Sequence, residues 1–400
     1  MKIKTLFAAS VAGLALAGGA LAQDLTVNLG VLNDRSGIYA DLSGEGSVIA
    51  ARMAVEDFDA AGHGITVNIV SADHQNKPDV ASTIARQWYD QDGVHAIFDV
   101  PTSSAALAVN EIARERQRLF FNSGAAASDL TGTECSPYTV HWTYDTWALA
   151  NGTGSAVVAD GGETWFFLTA DYAFGHALER DTAAVVEASG GQVLGAVRHP
   201  FPGNDFSSFL LQAQSSGAQV IGLANAGGDT VNSIKQASEF GITQGGQALA
   251  GLLIFLTDVH ALGLDVAQGL VLTEAFYWDL NDGTREWSQR FAERNNGNMP
   301  TMVQAGVYAS VLHYLRAVDA TRSTDADTVM AAVREMPTED PLFGQGEVRI
   351  DGRHVHDMYL FRVKSPEDST GPWDYYDLVA TIPAAEAFRP LDQGNCPLVQ

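Results

Sequence analysis

The sequence predicts an α/β protein made of two doubly wound lobes, each with a parallel sheet covered by helices. Strand-like and helix-like segments alternate along nearly the whole chain, which favours parallel sheets. The strand-like segments are continuous apolar runs, which are typical of strands buried on both faces. The alternation starts afresh at "TWFFLTAD", residues 164–171, which indicates a second lobe.

The first lobe is predicted from four strand-like runs and the helices that separate them. Pro78 falls in the first turn of the second helix, where proline is favoured because its missing N–H has no helical partner in any case. The strands are "LTVNLGVLN", "ITVNIVSAD", "VHAIFDV" and "RLFFNS", and the first two helices are "SVIAARMAVEDFDAAG" and "KPDVASTIARQWYDQDG".

The second half repeats the arrangement and then adds a long helix and a hairpin. The long helix is "TMVQAGVYASVLHYLRAVDA", and "EVRIDGRHVHDMYLFRVK" is predicted to be a β-hairpin with Asp351-Gly352 at its turn. The further strands are "QVLGAVRHP", "AQVIGLANAGG", "LAGLLIFLTD" and "GLVLTEAFYWDL". We expect lobe 1 to comprise residues 24–145 and 276–345, lobe 2 residues 146–275 and 346–385, and a tail residues 386–400.

The first 22 residues indicate an export signal. Lys2 and Lys4 precede an apolar run that ends in Ala20-Leu21-Ala22, a typical cleavage site. The alternative is a membrane anchor, although the run is short and broken by glycines. The formal charge is −25, and cleavage would leave −25 − 2 = −27 because two lysines are removed. That charge argues against nucleic acid or anionic lipid as a partner, since both need a basic face.

Two cysteines, Cys135 and Cys396, remain after the predicted signal peptide. Export to an oxidising compartment favours a disulfide between them, and the alternative is two free thiols. The disulfide would tie the C-terminal tail to a loop near the end of the first lobe.

The candidate site lies beyond the carboxyl ends of the strands, where open parallel sheets bind ligands. Two successive strands end in small and hydroxyl residues, first Thr102-Ser103 and then Ser123-Gly124-Ala125. Unpaired N–H groups of a helix's first turn attract anions, and hydroxyls add donors, so two such loops together favour a carboxylate. The alternative is that Ser103 and Ser123 only cap their own helices.

Strand ends of the second lobe add polar and aromatic candidates. Asp258 is predicted to end an apolar strand and to face an ammonium group, or else to cap the following helix. Glu274 is a similar candidate, or else bonds the two lobes together, and Asn225 ends another strand. Tyrosine offers a flat apolar face with a polar tip. We expect two or three of six aromatic residues to contact ligand and the rest to be packing: Tyr39, Tyr144, Tyr172, Phe174, Phe276 and Tyr277.

Sequence signals for catalysis or cofactors are poor. The chain has no G-x-S-x-G, P-loop or H-E-x-x-H motif. His354 and His356 form a close pair, but no third metal ligand follows nearby. We therefore expect no enzyme activity, no metal and no cofactor.

The residues described so far resemble those of type I periplasmic solute-binding proteins of the leucine/isoleucine/valine-binding class, the receptor subunits of ABC importers. The resemblance covers nearly all of the chain after the signal peptide. It is carried by "LGVLNDRSGIYADLSGEGSVIAARMAVEDFDAAG", "DHQNKPDVASTIARQWYDQDGVHAIFDVPTSSAALAV", "FNSGAAASDL", "DYAFGHAL" and "QAGVYASVLHYL". It implies two lobes joined by three crossovers, which close on a ligand by a hinge motion.

The resemblance also implies roles for individual residues. Thr102 and Ser103 match the first hydroxyl loop of the family, and Ser123 to Ala125 match the loop whose N–H groups take a ligand carboxylate. Phe174, or Tyr172 before it, matches the aromatic residue of the second lobe. Asp258 falls near the acidic residue of amino-acid binders, but it lacks the glycines that flank that residue. Gln304 lies near the late contact on the long helix.

Together these observations predict a periplasmic monomer that passes a small molecule to ABC permease subunits of the inner membrane. The expected ligand is a small carboxylate with an apolar or aromatic body. Branched-chain or aromatic amino acids are the next alternative, and short amides follow. A secreted hydrolase that uses Ser123 or Ser103 is the alternative from another class, and it would need a base within about 2.6–3.2 Å of that serine.

Overall fold

The first lobe is built on a five-stranded parallel sheet, in the order β2-β1-β3-β4-β5. The computed structural model describes residues 25–399, so the predicted signal peptide over residues 1–22 lies outside the described residues. The strands are β1 Leu25–Asn33, β2 Ile65–Asp73, β3 Ala96–Asp99, β4 Leu119–Asn122 and β5 Thr139–His141. The helices that connect the first four are α1 Gly44–Asp57, α2 Pro78–Asp90 and α3 Ser103–Arg116.

The hydrophobic pattern explains why this sheet lies at the centre of the lobe. Residues of β3 and β4 are buried without exception, as continuous apolar strands between two helical layers must be. The edge strand β2 instead alternates between covered and exposed residues. In α2 the buried positions Ala81, Ala85, Trp88 and Tyr89 recur at helical spacing, so one face of that helix covers the sheet.

The second lobe has a four-stranded parallel sheet, in the order β7-β6-β8-β9. Its strands are β6 Thr164–Ala170, β7 Gln192–His199, β8 Val220–Ala224 and β9 Ala248–Gly251. A short helical segment leads into this lobe, comprising α4 Thr146–Leu149, a π-turn Ala150–Gly154 and α5 Ser155–Ala159. The remaining helices are α6 Ala173–Ala188, α7 Ser207–Ser215, α8 Gly228–Glu239, α9 Leu256–Leu262 and α10 Leu264–Ala267.

The prediction that "LAGLLIFLTD" is a single strand is wrong. Strand β9 ends at Gly251, and α9 begins at Leu256. The four residues between them are apolar because they form a buried loop that faces the other lobe. A short apolar run does not by itself distinguish such a loop from a strand.

The last third of the chain returns to both lobes. After β10 Val271–Glu274 come α11 Asp282–Arg294, α12 Met302–Thr321 and α13 Ala326–Glu335. The predicted long helix is confirmed as α12, which is buried over most of its length and packs on α1. The remaining elements are β11 Thr338–Asp340, β12 Gly344–Val348, β13 His354–Val355, β14 Met358–Val363, β15 Tyr376–Ile382 and α14 Ala384–Ala387.

The predicted hairpin is confirmed only in its first part. Strands β12 and β13 pair antiparallel around the Asp351-Gly352 turn, whereas β14 pairs with β10 and β15 in a separate three-stranded sheet. The His141–Arg353 bridge joins β5 to the residue before β13. These contacts keep β12 and β13 with the first lobe and favour a third crossing at residues 356–357 rather than near 345. The lobe boundaries remain a proposal.

The predicted fold class is confirmed: helices cover parallel sheets in two lobes of one chain. The first crossing lies between β5 and α4, at residues 142–145. It is tied to the third crossing, because Nε2 of His356 lies 2.7 Å from the backbone oxygen of Thr143. Within residues 25–399, no helix combines the length and the apolar character that a membrane crossing requires.

The predicted disulfide between Cys135 and Cys396 is present, with Cα atoms 5.6 Å apart. It attaches the segment after α14 to the first lobe. The Arg389 guanidinium adds a hydrogen bond of 2.9 Å to the backbone oxygen of Ser128 in the same region. The tail is therefore part of the folded lobe and not a free extension of it.

Removal of this disulfide should lower the free energy of unfolding by about 2–5 kcal/mol, because the cross-link limits the unfolded chain over a loop of 261 residues. We expect Cys135→Ser with Cys396→Ser to show this loss in urea unfolding. Addition of a reductant should destabilise the parent protein and leave the double variant unchanged. A parent protein that is insensitive to reductant would contradict the prediction.

Candidate functional site

A narrow cavity lies between the two lobes, at the carboxyl ends of both parallel sheets. The volume open to the centre of a water molecule is only about 10 Å³, so the two lobes lie close together around it. Eleven residues from both lobes and the first crossing form its wall: Tyr39, Leu42, Pro101, Gly124, Ala126, Tyr144, Tyr172, Phe174, Ala226, Leu253 and Phe255.

The first-lobe wall is formed where β3 and β4 end side by side. Asp99 and Val100 both have positive φ, 82° and 59°, and for a β-branched valine this is an unusual backbone conformation. The turn brings Pro101 against Gly124 so closely that a Cβ on Gly124 would lie 2.7 Å from Pro101 Cα. Only glycine fits there without movement of the backbone.

Two backbone donors on this wall have no partner among the described residues. In the described part of the chain, the N–H groups of Gly124 and Ala126 reach no acceptor, whereas that of Ala125 donates to Asn122 Oδ1 at 2.9 Å. Gly124 and Ala126 are both buried. Because buried backbone N–H groups almost always have a partner, these two indicate a place where a ligand acceptor binds.

Asp99 is a fully buried carboxyl group behind the same wall. Its Oδ2 accepts hydrogen bonds from Ser43 Oγ at 2.7 Å and Asn33 Nδ2 at 3.2 Å, while Oδ1 has no partner. Burial raises the pKa of Asp99 to about 6. The group is therefore neutral in a larger fraction of molecules than an exposed aspartate, which weakens its repulsion of an anion nearby.

Three tyrosine hydroxyls reach the cavity, and each is already in a hydrogen bond. The hydroxyls of Tyr39 and Tyr172 lie 2.6 Å apart, across the two lobes. Tyr144, on the first crossing, donates its hydroxyl to the backbone oxygen of Gly124 at 2.6 Å. Because one hydroxyl of the Tyr39–Tyr172 pair donates to the other, one hydrogen of that pair is still free to donate to a ligand.

The second-lobe wall is apolar. Phe174 comes from the first turn of α6, Ala226 from the end of β8, and Leu253 and Phe255 from the buried loop before α9. Tyr144 packs edge-on against Phe255, with ring centroids 6.0 Å apart. This half of the cavity therefore offers aromatic and aliphatic surface to the body of a ligand, and no ionised group.

Acidic groups lie around the cavity, and the lining residues include no cation that would offset their charge. None of the eleven lining side chains is charged. Asp229, in the first turn of α8, is buried, and one of its carboxylate oxygens has no hydrogen-bond partner. Burial raises the pKa of Asp229 to about 7. A bound anion would thus be held by N–H and O–H donors and not by an ion pair.

Five of the predicted site residues line the cavity, namely Tyr39, Gly124, Tyr144, Tyr172 and Phe174. Four others lie in the same two loops but behind the wall. Thr102 Oγ1 donates to Asn76 Oδ1, Ser103 Oγ accepts from the N–H of Ala127 at 3.2 Å, and Ser123 Oγ has no partner. Ala125, with its N–H on Asn122, completes this group.

These positions also bear on the hydrolase alternative. No histidine or carboxylate within the described residues accepts a hydrogen bond from Ser103 or Ser123. A serine nucleophile needs such a base, so this site has no activated nucleophile. Likewise, no group of three His, Cys, Asp or Glu side chains between residues 25 and 399 is placed to hold a metal ion.

The other five predicted residues do not line the cavity, because their side chains are engaged elsewhere. Asn225 Oδ1 accepts from Thr230 Oγ1 at 2.8 Å, and Glu274 Oε1 accepts from the Tyr376 hydroxyl at 3.0 Å. Phe276 packs against Trp287. Tyr277, the sixth aromatic candidate, packs against Tyr376. We therefore leave these residues out of the proposed site.

Asp258 and Gln304 complete that set, and both are helix caps. Asp258 lies in the first turn of α9 and not at a strand end, and its Oδ2 accepts the N–H of Phe255 at 2.9 Å. Gln304 Oε1 accepts the N–H of Thr301 at 3.0 Å, and its Nε2 donates to the backbone oxygen of Ser43 at 3.1 Å. The structure thus favours the capping alternative for Asp258.

The assignment of Asp258 as a structural acid can be tested through pH. Burial raises its pKa to about 7, above the value of about 4 in an unfolded chain, so its ionisation destabilises the folded protein as pH rises from about 4 to 7. Asp258→Asn lacks this effect. The stability of the variant relative to the parent should increase by up to ~4 kcal/mol over that range, measured by urea unfolding at each pH. A difference that does not change with pH would contradict the assignment.

Sequence reasoning missed six lining residues: Leu42, Pro101, Ala126, Ala226, Leu253 and Phe255. Three of them are direct neighbours of predicted residues, since Pro101 precedes Thr102, Ala126 follows Ala125, and Ala226 follows Asn225. The strand ends were thus a sufficient signal for the loops. They did not show which residue of each loop turns towards the cavity.

Known proteins resemble this chain in sequence and in fold. A family model described as periplasmic binding protein matches residues 26–371. A solved periplasmic binding protein from Burkholderia mallei is 53% identical, with a TM-score of 0.92 over 94% of this chain and 100% of that chain. A branched chain amino acid ABC transporter periplasmic ligand-binding protein from Burkholderia xenovorans is 44% identical, with a TM-score of 0.83 over 94% and 100%.

A curated relative points the same way. The Leu/Ile/Val-binding protein homolog 6 of Brucella melitensis is 27% identical over 383 residues, which are 92% of this chain and 95% of that protein. The family and the fold are those of substrate-binding proteins, not enzymes.

Proposed function

The chain belongs to the periplasmic binding protein family, whose members bind ligands for ABC transporters, and we propose that it binds a small monocarboxylate with an apolar or aromatic body. The observation that carries this proposal is the pair of unpartnered N–H donors on Gly124 and Ala126 at the edge of an uncharged, aromatic cavity. A carboxylate would take those donors, and the rest of the ligand would lie against Phe174, Leu253 and Phe255.

The lining also favours this ligand class over amino acids. An α-ammonium group needs an acceptor with negative charge, because burial of an ammonium ion without one costs much free energy. No carboxylate lines the cavity, and Asp258 and Glu274 are engaged by Phe255 and Tyr376. Branched-chain or aromatic amino acids are therefore the second candidate, and short amides, which lack a charge, are the third.

We further propose that the protein acts as a monomer in the periplasm and passes its ligand to inner-membrane permease subunits. The family assignment supports this role. Release of the mature protein by osmotic shock, without the first 22 residues, would support the location. Light scattering of the purified protein should give the mass of one chain.

The ligand class is tested by a thermal-shift panel on protein that has been unfolded and refolded to remove bound molecules. The panel contains benzoate and other aromatic carboxylates, branched-chain amino acids and short amides, each with a matched analogue without its carboxylate or amino group. A ligand at a hundred times its dissociation constant should add ~2.7 kcal/mol of stability.

Three outcomes of the panel are informative. If carboxylates stabilise the protein and an added amino group gives no further stabilisation, the proposed class is correct. If only zwitterions stabilise it, the protein is an amino-acid receptor, and an acid behind the wall must move to meet the ammonium group. Stabilisation by amides alone would contradict the role of the two N–H groups as a carboxylate site.

A further inference from the structure

The contact between Tyr39 and Tyr172 joins the two lobes directly. Tyr39 lies in the loop after β1 of the first lobe, and Tyr172 directly precedes α6 of the second lobe. Their hydroxyl oxygens are 2.6 Å apart. Tyr39 is buried and Tyr172 is half-buried, so this hydrogen bond is largely shielded from water.

The backbone of Tyr39 and the ring of Tyr172 are each held by their own lobe. The backbone N–H of Tyr39 donates to Asp34 Oδ2 at 2.9 Å, and the buried Asp34 carboxylate also accepts the N–H of Gly37 at 2.8 Å. The Tyr172 ring stacks on Phe201, with ring centroids 4.1 Å apart and planes at 21°. The Tyr39 ring also packs against Phe201 of the second lobe, with ring centroids 5.7 Å apart, so the two rings meet on a shared aromatic surface when the lobes are closed.

The second lobe is shaped to let Tyr39 approach. Gly227 has a φ of 57°, and a Cβ at this position would lie 2.8 Å from the backbone oxygen of Ile38 and 3.0 Å from the Tyr39 ring. Gly228 follows it, and its Cβ position is 3.3 Å from Ile38. Two glycines therefore form the surface on which the Tyr39 loop rests when the lobes are closed.

From this geometry we propose that the Tyr39–Tyr172 hydrogen bond is an interlobe lock, which stabilises the closed form of the protein before any ligand binds. This inference goes beyond the proposed ligand class and requires only that the two lobes move relative to each other. Closure brings the two hydroxyls together, and opening returns both to water. The ligand then selects a closed form that is already populated.

A double-mutant cycle on ligand-free protein tests the lock. Spin labels on Gln91→Cys in the first lobe and Gln214→Cys in the second report the interlobe distance by pulsed electron resonance. Both positions are exposed, and the two native cysteines are bridged, so they do not compete for label. The variants are Tyr39→Phe, Tyr172→Phe and the pair together, and Tyr89→Phe is the control.

Each single variant should lower the ratio of closed to open molecules by roughly fivefold (about 1 kcal/mol), because the remaining hydroxyl loses its partner only in the closed form. The double variant should be no worse than either single variant, since no unpaired hydroxyl remains. Tyr89→Phe removes a buried hydroxyl that bonds Leu119 inside the first lobe and should leave the ratio unchanged.

Three results would overturn the lock: a ligand-free parent with no measurable closed population, single variants that match the parent, or a double variant whose loss equals the sum of the two singles. These measurements contain no ligand. The lock can therefore be supported even if no carboxylate of the panel binds, and it can be refuted even if one does. The two proposals are thus tested separately.

Discussion

Gly124→Ala is expected to weaken binding of the panel compound that stabilises the parent protein by at least a hundredfold (about 2.7 kcal/mol). The new Cβ would lie 2.7 Å from Pro101 Cα, 2.8 Å from Pro101 Cβ and 3.0 Å from Asp99 Oδ1. Two of these atoms belong to Pro101, which directly follows the positive-φ residues Asp99 and Val100, so the loops after β3 and β4 must separate. Both loops line the cavity, and the Gly124 N–H moves with them.

The measurement is the dissociation constant from calorimetry, with circular dichroism to show that the variant is folded. Gly371→Ala is the matched control, because no atom lies within 4 Å of its Cβ position. It should bind as the parent does. A Gly124→Ala protein with unchanged affinity would mean that the ligand does not use this wall, and the proposed site would be wrong.

The second large effect concerns a buried ion pair near the first crossing. Arg353 is fully buried, and its Nη1 lies 3.5 Å from Asp145 Oδ2. Burial lowers the pKa of Arg353 to about 10 and raises that of Asp145, so for both groups the loss of hydration outweighs their attraction. Asp145→Ala leaves the arginine charge without a partner and should cost about 3–5 kcal/mol of stability.

Two further variants separate the charge from the helix cap. Asp145 Oδ1 also accepts the N–H of Ala148, so Asp145→Asn should keep the cap and recover about 1 kcal/mol of the loss. Arg353→Met combined with Asp145→Asn should be more stable than Asp145→Asn alone, because no unpaired charge is buried. Urea unfolding measures all four proteins. A combined variant that is no more stable than Asp145→Asn alone would contradict the role given to the buried arginine charge.

Much of the fold could be predicted because the hydrophobic pattern reports burial directly. The runs "LTVNLGVLN" and "ITVNIVSAD" coincide with β1 and β2 to the residue. The run that ends at Asp258 was misassigned, since Leu252 to Phe255 are apolar for another reason: they form a buried loop that faces the other lobe. Hydrophobicity shows that a segment is buried, but it does not show which part of the protein covers it.

The site was less predictable, because the direction of a loop side chain depends on backbone angles. The positive φ values of Asp99 and Val100 turn Pro101 towards the cavity and Thr102 towards Asn76. Aspartate adopts positive φ only occasionally and β-branched valine very rarely, so the sequence gives little sign of that turn. The sequence favours Ser103 and Ser123 for their hydroxyls, whereas the free donors belong to the backbone of Gly124 and Ala126.

The state of the Cys135 sulfur distinguishes a chain that extends to Cys396 from one whose synthesis stopped earlier. During synthesis Cys135 emerges 261 residues before Cys396, so its sulfur remains a thiol until nearly the whole chain is present. A product that stops before residue 396 keeps that thiol, and a complete folded chain does not. A thiol-reactive probe would therefore label truncated molecules and leave disulfide-bonded ones unlabelled. The disulfide forms only in molecules whose chain extends as far as Cys396.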